Sequence, residues 1–77
     1  MTVSNPPPLA STIPAHQQRV ISEKNEVSER LSKLYAFFQG PIFPTLPEAE
    51  RSRLRNQARF MDGYAAVLGE RIEAFGV

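Results

Sequence analysis

The chain has 77 residues, with nine basic and eight acidic side chains, one histidine and no cysteine. That length admits one domain, of a size that buries a limited fraction of its surface and is marginal alone. Disulfides are excluded, a lone histidine does not make a structural zinc site, and oligomerisation is the remaining common source of stability. The formal charge of +1 carries no global signal for a nucleic-acid polymer. No apolar run reaches the roughly 18 residues that cross a membrane, and no basic segment with a following apolar core opens the chain. The simplest reading is an intracellular chain.

Residues 1–14 hold four of the seven prolines. Pro6, Pro7 and Pro8 favour an extended arm without helix. The arm is read either as a disordered tail or as a segment lying across a neighbouring subunit, anchored by Val3, Leu9 and Ile13. A first helix is expected over about 15–39, starting near Pro14 with Thr12 or Ser11 as cap and stopping at Gly40-Pro41. Its apolar stripe is Val20, Val27, Leu31, Leu34 and Phe38, and the same register places Gln17 and Lys24 on the stripe. Ile21, Tyr35 and Phe37 widen that face.

The loop, about 40–45, is proline-rich, with Ile42 and Phe43 expected to plug the end of a hairpin. Thr45-Leu46-Pro47-Glu48 has capping-box spacing, so Thr45 is expected to cap a second helix over about 46–75. In that helix Leu54, Ala58, Met61, Ala65, Leu68, Ile72 and Phe75 alternate steps of 4 and 3, a heptad seam of the kind that packs one helix on another. Phe60 and Val67 lie off the seam, and this surplus of apolar surface implies subunit contacts. Gly63 and Gly69 each disfavour a helix interior by roughly 1 kcal/mol relative to alanine. Close approach of another backbone or a ligand would compensate. The expected fold is all-α: an antiparallel helical hairpin, residues 15–77, behind an extended N-terminal arm, assembling into a compact homo-oligomer.

Three features bear on chemistry. Lys24 is a cation on a packing seam, read either as a device that sets register with its head reaching water, or as a charge held to meet an anion with Arg19 nearby. Arg51, Arg53, Arg55 and Arg59 crowd the first half of the second helix, where like charges repel and the helix dipole disfavours cations. They form either a solvated face paired with Glu23, Glu26 or Glu29, or an anion site, since arginine suits bidentate phosphate contacts. His16, alone near a helix start, does not assemble a nucleophile, a base and an orienting group. No glycine-rich phosphate loop is present. The chain is therefore not read as an enzyme, and no cofactor or metal is expected.

The segment HQQRVISEKNEVSERLSKLYAFF, followed by PIFPTLPEAERSRLRNQARFMDGYAAVLGERI, resembles the small phage proteins that share the anti-CBASS and anti-Thoeris hairpin domain. The resemblance spans roughly residues 15–74 and rests on His16 to Val20 with Glu23-Lys24, on Leu46-Pro47, and on Val67 to Ile72. It implies a sponge that binds cyclic oligonucleotide messengers of antiphage signalling, such as cGAMP, without cleaving them, in the host bacterial cytoplasm. It further implies a homohexamer with cyclic dinucleotides in one class of interface pocket and cyclic trinucleotides in another. Anti-Thoeris members, usually longer, bind cyclic ADP-ribose isomers. On this resemblance Lys24 meets cyclic-dinucleotide phosphate. The region of the family's base-stacking aromatic holds Leu9 to Pro14, with no aromatic before Tyr35. The trinucleotide pocket would take Asn25 or Glu26, with Arg55 or Arg59. The competing reading is a helical oligomerisation or protein-interaction module without a small ligand.

Overall fold

A proline stands immediately before each helix of this chain. The computed structural model describes residues 13–76, which form α1 (Ala15–Phe38), a short 3-10 turn (Phe43–Thr45) and α2 (Glu48–Phe75). Pro14 and Pro47 take nearly the same extended conformation, φ −55° and ψ 148° against φ −56° and ψ 149°. Each carbonyl accepts two backbone N–H groups of its first turn at 3.0 Å, from Gln17 and Gln18 and from Glu50 and Arg51. The fixed proline φ thus points a carbonyl into the helix mouth and removes one N–H that would need a partner. Neither start has a side-chain cap on that residue. The capping box expected at Thr45 does not form: the Thr45 hydroxyl donates to the Ile42 carbonyl at 2.6 Å, inside the 3-10 turn. Glu48, one residue past Pro47, turns instead to Arg51 at 2.8 Å. The candidate caps Thr12 and Ser11 lie outside the described residues, as do Val3 and Leu9.

At the other end of α1, Gln39 and Gly40 donate to Ala36 and Phe37 carbonyls, a tightened last turn, and Pro41 has no N–H to continue the ladder. Among the described residues none, Gly40 included, has a positive φ, so the stop is made by proline and not by a left-handed glycine. Phe43 closes the hairpin: its ring lies 4.7 Å from Phe38 and 6.2 Å from Phe37. Ile42, expected to share that task, is 57% exposed, because the 3-10 turn that aims Phe43 inward aims its neighbour outward.

α1 and α2 pack along their apolar stripes as an antiparallel pair. Every seam residue of α2 is buried or half-buried, and Leu68, 1% exposed, sits deepest. Val20 and Val27 close on Leu68, with Met61, Ala65, Ile72 and Phe75 around them. Leu31 and Ala58 are the buried residues nearer the loop. Among the described residues these five (Val20, Val27, Leu31, Ala58 and Leu68) are the whole fully buried core. A hairpin this thin leaves large side chains in water, and Phe60, Tyr64 and Val67 are among them. No helix among the described residues is long and apolar enough to cross a membrane.

Candidate functional site

Lys24 occupies the seam position between Val20 and Val27 and is half-buried there. A four-carbon stem fits between two packed helices only where the facing residue gives way. Gly69 does: a Cβ at Gly69 would stand 3.2 Å from the Lys24 Cε. The glycine that weakens α2 thus leaves room between the helices for the end of the lysine stem. Gly63, expected to have the same kind of reason, has none within the hairpin, since a Cβ there meets nothing within 4 Å.

The ammonium opens into a groove of about 460 Å³. One wall is α1, contributing Ser28, Leu31, Ser32 and Tyr35 beside Lys24; the other is α2, contributing Asp62, Ala65, Ala66 and Gly69. The small α2 residues leave the floor open. Ser28 and Ser32 bring hydroxyls that both donate and accept, and Tyr35, 46% exposed, brings an aromatic face. Lys24 stands outside the ion pairs formed among the described residues, all of which lie elsewhere: Lys33–Glu29, Arg51–Glu48, Arg53–Glu50 and Arg55–Glu48. Asp62 shares the groove without pairing with the lysine. An unpaired cation, two hydroxyls, one aromatic and one carboxylate are suited to a phosphate with a base attached.

The other residues singled out from sequence go to different places. Arg19 lies five residues before Lys24, roughly 140° around the helix. It lines a separate groove of about 550 Å³ with Glu23 and Glu26, whose carboxylates neutralise it as a place for an anion. Asn25 is exposed between the two grooves. Leu9 lies outside the described residues. Arg59 and Arg55 stand about 15 and 21 Å along α2 from Gly69, which faces Lys24, so one chain does not gather them with Lys24 on one small ligand.

Nor do the arginines pair with Glu23, Glu26 or Glu29. The antiparallel hairpin sets the arginines level with the last turns of α1, beyond those glutamates. They pair within their own helix: Arg51 with Glu48 at 2.8 Å, Arg53 with Glu50 at 3.0 Å, Arg55 with Glu48 at 3.7 Å. Arg55 also lies over the Phe43 ring at 5.5 Å. Arg59 lies over Phe60 at 5.2 Å and donates to the Asn56 amide oxygen at 3.2 Å. The buried Nε of Arg51 has no hydrogen-bond partner. Three of the four guanidinium groups are thus partly neutralised before any ligand arrives.

Tyr35 was read from sequence only as extra apolar surface. The signal that places it at the site is the run Lys24, Ser28, Ser32, Tyr35, whose steps of 4, 4 and 3 keep one cation, two hydroxyls and one ring on a single helical face.

A family model described as Sequestin matches residues 14–74, well over half of the chain. No curated protein and no solved structure matches it. The chain therefore belongs to the Sequestin family.

Proposed function

We propose that this member of the Sequestin family is a sponge for cyclic oligonucleotide second messengers, one that binds and holds them without cleavage and so blocks CBASS-type signalling in the infected host cytoplasm. The family name speaks of sequestering, and the resemblance to phage anti-CBASS and anti-Thoeris hairpin proteins supplies the ligand class. The observation that carries the reading is the Lys24 ammonium, unpaired and held over Gly69 at the mouth of the groove. Lys24 meets a phosphate with Ser28 one turn away, Ser32 hydrogen-bonds farther along the same ligand, and Tyr35 stacks on a base in the role that the missing upstream aromatic plays in the resembling proteins.

Binding without turnover needs only such oriented groups. His16 is exposed and about 12 Å along α1 from Lys24, too far to act on a phosphodiester held there. The second pocket, for a cyclic trinucleotide, joins Asn25 or Glu26 of one copy to Arg55 or Arg59 of another in a homohexamer, because no single copy brings them together.

Calorimetric titration with cyclic di- and trinucleotides, cyclic ADP-ribose isomers and linear controls, followed by heat release and chemical identification of the ligand, tests this. Tight binding of a cyclic oligonucleotide with intact recovery is expected. A cleaved product would mean an enzyme. No binding across the panel would favour the oligomerisation module, the reading to which the exposed Phe60, Tyr64 and Val67 also point.

A further inference from the structure

We propose that the outer face of α2 docks a second copy of this chain, the two α2 helices running antiparallel and crossing near Gly63. Phe60, Tyr64 and Val67 are 68%, 44% and 51% exposed and follow one another by steps of 4 and 3. They form a second helical stripe, apart from the seam that faces α1. Beside it runs a groove of about 580 Å³ lined by Phe60, Met61 and Tyr64 with polar residues at its rim. Gly63 lies on this same face, in the middle of a 28-residue helix. Unlike Gly69 it makes room for nothing within its own chain. A helical glycine on an apolar stripe lets a second backbone approach closely.

Charge decides between a second copy laid parallel and one laid antiparallel. Arg59 precedes the stripe and Glu70 follows it. Eleven residues apart, they sit within roughly 20° of each other on one flank. Each stands outside the ion pairs formed among the described residues. Antiparallel pairing about Gly63 and Tyr64 lays Phe60 against Val67 and brings Arg59 of each copy within about 3 Å along the axis of Glu70 of the other, twice by symmetry. Parallel two-fold pairing would send the Arg59–Glu70 flanks of the two copies to opposite sides of the contact and make neither pair. The five-residue core is the reason such a contact is needed. The contact requires no nucleotide, and a two-fold interface of this kind also occurs within a hexamer of dihedral symmetry.

The chain has no cysteine, so single cysteines report the geometry directly. In the full chain under mild oxidation, Gly63→Cys is expected to give a covalent dimer. Ala74→Cys, on the same stripe, is expected to give none, because eleven residues from the axis the two copies stand about 33 Å apart, beyond disulfide reach. Cross-linking at both positions would mean parallel pairing, and cross-linking at neither would mean a different face; either overturns the proposal. By sedimentation, Val67→Glu is expected to lower the assembled mass while leaving the helical circular dichroism intact. Arg59→Glu is expected to weaken assembly by roughly tenfold, and adding Glu70→Arg to restore it. An unmodified chain that stays monomeric at all concentrations, or a Val67→Glu chain with unchanged mass, would refute the docking.

Discussion

The two ends of this hairpin treat charge in opposite ways. At the loop end four arginines fall within nine residues, yet Arg51, Arg53 and Arg55 lie against Glu48 and Glu50 of their own helix, and Arg55 rests on the Phe43 ring. Toward the far end Lys24, unlike the exposed Arg19 and Arg71, lies on the seam between two packed helices, beside Gly69 and without a carboxylate partner. The lesson is that charge density does not make an anion site. Arginines one turn from glutamates on a solvated helix are already answered, whereas one lysine on the seam beside a facing glycine has its charge unspent.

This contrast can be broken most severely at its foundation. Leu68, the deepest residue of α2, lies in the cluster that closes on Val20 and Val27 to either side of Lys24. Leu68→Ala is expected to destabilise the chain by about 2–5 kcal/mol, read as a lowered denaturant midpoint. Few proteins of this size tolerate such a loss. Next comes Lys24→Ala. If a charge-assisted contact to phosphate contributes about 1.5–3 kcal/mol, affinity for a cyclic dinucleotide is expected to fall by roughly 10- to 100-fold in calorimetry. Thermal stability should hold or rise as the seam loses its polar member.

Gly69→Ala sharpens the comparison. The added methyl favours the helix by about 1 kcal/mol but crowds the lysine stem at 3.2 Å, so melting temperature is expected to rise while nucleotide affinity falls. The smallest effect belongs to the loop end. Glu48→Gln weakens two pairs made by an exposed carboxylate, one to half-buried Arg51 and one to exposed Arg55, and a change in stability below about 1 kcal/mol is expected by chemical denaturation.

Much of the fold was legible because the heptad seam from Leu54 to Phe75 has one physical meaning, and the Gly40-Pro41 stop and Pro47 start leave no other place to turn. The capping box failed because Pro47, with its rigid φ, moved the helix start past Thr45 and left the hydroxyl inside the 3-10 turn. Ile42 and Phe43 differ by one residue and so by opposite directions in that turn, which sequence patterning does not resolve. Lys24 was visible as a seam anomaly and Gly69 as a helix anomaly. That each explains the other depends on register between two helices, which neither stripe states alone. Tyr35 hid in the same way: a tyrosine beside an apolar seam reads as core until the facing helix proves to be alanine and glycine.

The most direct test of the Lys24 groove is amide chemical-shift mapping of the full chain titrated with a cyclic dinucleotide. The account predicts shifts centred on Lys24, Ser28, Ser32, Tyr35 and Gly69, with Arg51 to Arg55 little changed, and their disappearance in Lys24→Ala. Shifts centred on the arginine row, or an unaltered pattern in the lysine variant, would contradict it.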